Sequence, residues 1–334
     1  MQTQKPALWI ALFFIALTVI GLAVATDYGV PFDEGSEQAI LRQNVKEYIC
    51  VLFGEQYPAI RTDSWSEVVR ISQSVERDHG QSAYYPMALL LGTQTTDPHL
   101  FTILWHAYTW LWFMAGVVAA YFLARELGLS RLLACAVALL LYLQPRFFAE
   151  GHYNNKDVVL LSLVICELAT GARLIRKPTL WGSFWFAFFG ALATNMKIVG
   201  AYPMVLIGVA ALGYWYTDRS KNSHRIRYAI ASFGFYLLMY GLFTPALWAS
   251  PLQYFRYVLT NATSFSRWTG VVLFQGALYQ PANGLPLPHR YLPVMMGLTI
   301  PIGFLVFMGR GGRGPAMPNA WHPTLGATGS ESSP

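Results

Sequence analysis

The chain has 334 residues, 54% hydrophobic and 12% charged, about half the charged share of a soluble domain (roughly 25%). That composition excludes a free-standing soluble domain and points to a membrane protein. The net charge of +6 gathers in no basic patch with a nucleic-acid motif, so nucleic acid is not an expected partner.

In chain order, the first apolar run covers 7–26. It has no small-x-small cleavage site ahead of a soluble mature chain, so it reads as an anchor rather than a signal peptide. Further runs long enough to span lie near 100–123, 132–149, 157–174, 179–195, 198–216, 228–248 and 291–309, giving about eight spans in an all-α bundle. Asn195, Met196 and Lys197 divide the stretch 179–216, which a re-entrant pair would also fit. Arg125 and Arg131, then Arg173, Arg176 and Lys177, then Arg219, Lys221, Arg225 and Arg227, then Arg310 and Arg313 fall in alternate loops. Lys and Arg collect on the cytoplasmic side, which places the N-terminus inside and residues 27–99 outside. The polar loops are therefore expected on the outer face of the membrane.

Within 27–99, Leu41, Val45, Tyr48, Ile49 and Leu52 recur at helical spacing, with Arg42, Lys46 and Glu47 opposite. The pattern predicts an amphipathic helix on the membrane surface. A second short helix is expected in "SWSEVVRISQSVERD", 64–78. The tail 310–334, rich in Gly, Pro and Ser, cannot bury a core and is expected to be disordered. It reads as an appended end, so that the domain 1–309 is C-terminally incomplete. Cys50, Cys135 and Cys166 have no metal or disulfide spacing and read as small apolar fillers.

Three polar clusters fall on the outer side. The first is Asp33 and Glu34 in "PFDEGSEQ", just past the anchor. One carboxylate there is an ordinary helix cap; a second suits a general base. The second is "RFFAEGHYNNKD", with Arg146, His152, Asn154, Asn155, Lys156 and Asp157 in one loop. Cations there either snorkel to headgroups or seat a departing phosphate. The third, "NGLPLPHRYLPV", carries His289 and Arg290, interfacial anchors or further phosphate contacts; Lys197 is another candidate. The pairs Asp78–His79 and Asp97–His99 leave a divalent metal open, but without an Asp-x-Asp cluster no metal or cofactor is expected. Among intramembrane groups, which are functional candidates by default, His106 stays open. Glu167 reads as snorkelling or as a helix–helix hydrogen bond.

This set resembles the multi-span C-type (GT-C) glycosyltransferases, in the branch related to protein O-mannosyltransferases and lipid A aminoarabinose transferases. The resemblance covers about 8–309 and rests chiefly on the acidic pair in the first loop. It implies transfer of a sugar, with inversion, from a polyprenyl-phosphate carrier to a lipid, glycan or protein acceptor outside the cytoplasm. It implies Asp33 as the catalytic carboxylate, Glu34 in support, and Arg146, His152, Lys156 and Arg290 around the carrier phosphate. Members commonly have more spans or a soluble C-terminal domain. The alternatives are a lipid or sugar transporter or flippase, disfavoured by the lack of internal repeats and of midplane charge clusters, and an inactive truncated member of the family.

Overall fold

A computed structural model of the chain describes residues 5–217, 222–264, 269–300, 302–303 and 305–306. Residues 1–265 form one compact unit and 266–334 another. The expected tail, 310–334, and the loop cations Arg219, Lys221, Arg310 and Arg313 lie outside the described residues.

Every regular element described in the first unit is a helix. It contains α1 (Lys5–Ala23), α2 (Glu34–Phe53), α3 (Asp63–Ser66), α4 (Leu91–Thr96), α5 (Pro98–Glu126), α6 (Arg131–Tyr142) and α7 (Pro145–Tyr153). There follow α8 (Asp157–Arg176), α9 (Leu180–Met196), α10 (Tyr202–Thr217), α11 (Asn222–Phe243), α12 (Ala246–Ala249) and α13 (Pro251–Thr263). Five stretches are long and apolar enough to cross a membrane: Leu8–Asp27, Pro98–Glu126, Asp157–Arg176, Ile198–Tyr216 and Arg225–Phe243. The pair α6–α7 makes a sixth if counted as one span, and it bends by 66°.

That bend divides the run expected at 132–149. Gln144 accepts a hydrogen bond from the Phe147 amide and Pro145 opens α7, so the sequence starts a new helix there. α9, expected at 179–195, has 17 residues and ends where Lys197 is extended (φ −152°, ψ 141°). A single turn, Ile198–Ala201, then leads into α10.

The core gathers on α5. Trp110, Phe113 and Val117 pack with Leu17, Ala138 and Tyr142; Phe101 and Trp105 pack with Leu41, Tyr84, Leu163 and Met196. Small residues bring helices close, as in membrane packing. A Cβ on Gly116 of α5 would lie 2.8 Å from Ser162 Cα on α8. Arg173 and Arg176, at the end of α8, pair with Glu126, at the end of α5, at 3.5 and 3.2 Å. The two helices therefore run parallel, and their basic ends lie on one side.

Two expectations for 27–99 are corrected. The helix at 64–78 is broken: α3 spans Asp63–Ser66 and a single turn follows at Ile71–Gln73. Polar contacts from elsewhere claim this backbone and its side chains. Lys46 donates to the Trp65 carbonyl at 2.8 Å, and the Ser72 amide donates to Glu47 at 3.1 Å. The buried face of α2 is also not the predicted apolar stripe. Glu34, Glu37, Gln38, Asn44 and Glu47 are buried on it beside Ile40 and Leu41, while Leu52 is exposed. Glu47, expected outward, is bound by Arg70 and by the Ser72 hydroxyl at 2.6 Å. Burial alone would raise its pKa; the Arg70 and Ser72 contacts outweigh that and hold it below the ordinary carboxylate value.

The second unit holds β1 (Val272–Phe274) and β2 (Ala277–Tyr279), antiparallel, with Val272 opposite Tyr279. Gln275 and Gly276 turn the hairpin with φ of 51° and 78°, the twist-matched geometry that two-residue hairpins prefer. α14 (Tyr291–Thr299) follows, and the span expected at 291–309 runs on beyond the continuously described residues.

Candidate functional site

The chain leaves α1 through the turn Ala25–Asp27, and Tyr28 stacks on His152 with ring centroids 4.2 Å apart. That contact ties the first polar segment to α7. Pro31 and Phe32 lead to Asp33, the residue before α2. Asp33 is exposed, its carboxylate makes no capping bond, and it has no ion-pair partner among the described residues. It stands at the start of a helix, where a negative charge is favoured.

Glu34 goes the other way. It is 1% exposed, accepts from Gln38 at 2.9 Å and lies 2.8 Å from His106 Nε2 on α5. The acidic pair is thus one exposed carboxylate and one buried in a helix-to-helix contact. One turn on, Glu37 is 3% exposed, accepts from Lys156 Nζ at 2.7 Å and is also bound by Gln81. Side chains four apart on a helix are neighbours, so Asp33 lies one turn from the Glu37–Lys156 pair, in which Glu37 is buried and Lys156 half-buried.

Lys156 and Asp157 open α8. Asn154 accepts from the Asp157 amide at 2.8 Å and from the Lys156 amide at 3.3 Å, capping the helix. Asp157 pairs with Lys197, at the end of α9. Lys197, a candidate phosphate contact, is therefore already matched by a carboxylate. The first turns of α2 and α8 and the end of α9 converge on a line of charges: Asp33, Glu37, Lys156, Asp157 and Lys197.

The remaining expected site residues are placed as follows. Arg146 is exposed and donates to Glu150 at 2.8 Å, one turn along α7. His152 is fully buried; its ring nitrogens face the Phe148 and Gly21 carbonyls at 2.9 and 3.0 Å, and its ring lies between Tyr28 and Trp110. Both ring nitrogens are thus occupied by backbone carbonyls, which leaves no donor for an incoming phosphate. Asn155 is 3% exposed, and its side-chain nitrogen has no hydrogen-bond partner. His289 and Arg290 are exposed in the second unit, ahead of α14. The basic loop is therefore no bare cationic seat, because Arg146 and Lys156 are each matched by a carboxylate, as is Lys197 at the end of α9.

Of the pairs open to a metal, Asp97 is taken as the cap of α5, accepting from the Leu100 amide at 3.0 Å. Glu76, Asp78 and His79 bring ligand-type atoms within 4.8 Å of one another, with His79 Nδ1 2.9 Å from Glu76 and Asp78 accepting from Asn261 at 3.2 Å. Glu167 is fully buried, and neither of its oxygens has a partner. It neither snorkels nor makes the helix–helix hydrogen bond expected of it.

Two positions at the site carry no signal that the sequence reading uses. Glu37 is the carboxylate that meets Lys156; its spacing from Glu34 was the available signal. Asn195, noted only as a break, ties the outer segment to the bundle. Its carbonyl accepts from Gly80 N at 2.8 Å, its Oδ1 from Ser82 N at 3.0 Å, and its amide donates to the Phe243 carbonyl at 3.0 Å. A Cβ on Gly80 would lie 2.1 Å from Asn195 Oδ1, so this approach requires glycine.

No protein-family model, curated protein or solved structure matches the chain.

Proposed function

We propose that the chain is a membrane glycosyltransferase that moves a sugar from a polyprenyl-phosphate carrier to an extracytoplasmic acceptor. The observation that carries this reading is Asp33: an exposed, unpaired carboxylate six residues past a span's end, one turn from the pair Glu37–Lys156. A lipid-borne donor requires a site at the membrane face, and the charged line sits at the ends of spans. Asp33 takes the proton of the acceptor hydroxyl or amine. The acceptor atom attacks the anomeric carbon, the bond from that carbon to the phosphate oxygen breaks, and the phosphate leaves with the electron pair. Attack from the face opposite the phosphate inverts the centre.

Lys156 and Lys197 each exchange part of their carboxylate contact for the leaving phosphate, whose charge a fixed ammonium stabilises. Glu37 and Asp157 hold the two lysines in place before the donor arrives. Glu34 orients the start of α2 through His106. Eight spans, a cytoplasmic N-terminus and a bacterial inner membrane belong to the same proposal.

The test is chemical. Membranes carrying the chain are given polyprenyl phosphates bearing a labelled sugar, together with a mixed acceptor pool. A transferase yields label on a new acceptor and free polyprenyl phosphate. A flippase moves the intact lipid-linked sugar between leaflets without splitting it, and that result would overturn the proposal.

A further inference from the structure

An apolar groove runs between α5, α8 and α9, toward the end of α8 opposite Lys156. It holds about 320 Å³ and is lined by Ala115, Ala119 and Phe122 of α5, Ala169 of α8 and Phe189 of α9, with Glu126 and Arg173 at its mouth. The polar groups along it are tied to backbone. Thr170 donates to the Cys166 and Glu167 carbonyls at 2.8 and 3.0 Å, and Cys166 Sγ faces the Ala115 carbonyl at 3.8 Å. Such walls suit a hydrocarbon chain. Ala115 and Glu126 are eleven residues apart, about 16 Å at 1.5 Å per residue. That matches one leaflet of a hydrocarbon core about 30 Å thick.

The mouth is cationic. Arg125, Arg173, Arg176 and Lys177 stand at this end of α5 and α8 against one carboxylate, Glu126. Arg125 donates to the Leu129 carbonyl, and Arg176 is held by Glu126, through its carbonyl at 2.6 Å and its carboxylate at 3.2 Å. Arg173 lies 3.5 Å from that carboxylate, beyond the usual hydrogen-bond length, with its side chain two-thirds exposed. Lys177 is exposed and has no ion-pair partner among the described residues. Trp215 of α10 donates to the Ile175 carbonyl, so the loop after α10 begins at this end too. Its sequence, 217–228, adds four Lys or Arg and one Asp, which deepens the excess of positive charge. The donors of Arg173 and Lys177 are thus open to a phosphate, which a guanidinium fork grips two bonds at a time.

We infer that this groove holds one acyl chain of an anionic phospholipid, with Arg173 and Lys177 on the phosphate. Basic pockets between spanning helices bind such headgroups. The same excess of positive charge disfavours the ammonium of a zwitterionic headgroup. The site rests on the membrane reading of the spans and not on the transferase reading, because it lies at the other end of α8 from Lys156 and binding is measured without turnover.

The experiment titrates the full chain, delipidated in detergent, and reads bound lipid by native mass spectrometry. The probes are dioleoyl phosphatidylglycerol, dioleoyl phosphatidylcholine and glycerol 3-phosphate. The first phosphatidylglycerol binds about ten-fold or more tighter than phosphatidylcholine, and glycerol 3-phosphate, which has no chain, does not saturate over the same range. Replacing both exposed cations, Arg173→Gln with Lys177→Gln, brings phosphatidylglycerol close to phosphatidylcholine. Glu126→Gln tightens phosphatidylglycerol several-fold by removing the one opposing carboxylate, a gain that a misfolded variant cannot give. Ala115→Phe, at the deep end of the groove, weakens both lipids several-fold. Equal affinity for the two lipids would overturn the cationic mouth, and glycerol 3-phosphate binding as tightly as phosphatidylglycerol would overturn the chain. Undiminished binding in the double variant or in Ala115→Phe would overturn this groove as the site.

Discussion

At the residue scale, the neighbours Asp33 and Glu34 have opposite environments. Asp33 is open to solvent, while Glu34 is buried against His106 and Gln38. The sequence announces both carboxylates but not the difference, because which of two adjacent residues turns inward depends on where α5 packs. Glu37 is hidden for the same reason: the stripe Glu34, Glu37, Gln38, Asn44, Glu47 looks like a solvated face until its partners Lys156, Gln81 and Arg70 arrive from far along the chain. Those partners make a pH prediction. Glu47 is held below its ordinary carboxylate value. Its contribution is therefore present above the unfolded value, about 4.3, and is lost as pH falls through the lower folded value. Glu47→Gln should lower the thermal midpoint in detergent at pH 7, and the gap to the native chain should close below about pH 4. A gap that widens on acidification would contradict the assignment.

At the scale of elements, most helices were legible because long apolar runs without charge have few other options. What the runs conceal is interruption. Pro145 after a capping Gln144 breaks the third expected span, and local residues suffice to explain it. The loss of helix at 64–78 has no local signal, since it follows from Lys46, Glu47 and Asn195 capturing polar groups of that segment and its flank. Close approach of α5 and α8 gives a paired prediction. Gly116→Ala drives a methyl against Ser162 and should cost about 1–3 kcal/mol. Gly234→Ala, in α11 with nothing within 4 Å, should be neutral or stabilising by up to about 1 kcal/mol. Thermal unfolding of both variants in one detergent checks this, and equal effects would show that α5 and α8 are not packed so closely.

At the scale of the whole molecule, the first unit separates two groups of charges along α8. Arg173, Arg176 and Glu126 meet at one end of the bundle, and Glu37, Lys156, Asp157 and Lys197 meet at the far ends of α8 and α9. Membrane sidedness follows if the first group is cytoplasmic. With the three native cysteines replaced, Asp63→Cys should react with a membrane-impermeant maleimide on intact cells, and Arg131→Cys only after permeabilisation. The reverse pattern would invert the topology and move Asp33 to the cytoplasmic face.

The most direct measurement compares the native chain with Asp33→Asn on a polyprenyl-phosphate-linked labelled sugar, following label leaving the lipid. The native chain should release it onto an acceptor. Loss of the base should slow release by about 10²–10⁴-fold, with the thermal midpoint little changed, because the Asp33 side chain is exposed, has no ion-pair partner among the described residues, and Asn suits a helix start as well as Asp. Release by Asp33→Asn at the native rate, or none from the native chain with any carrier, would contradict a transferase built on that carboxylate.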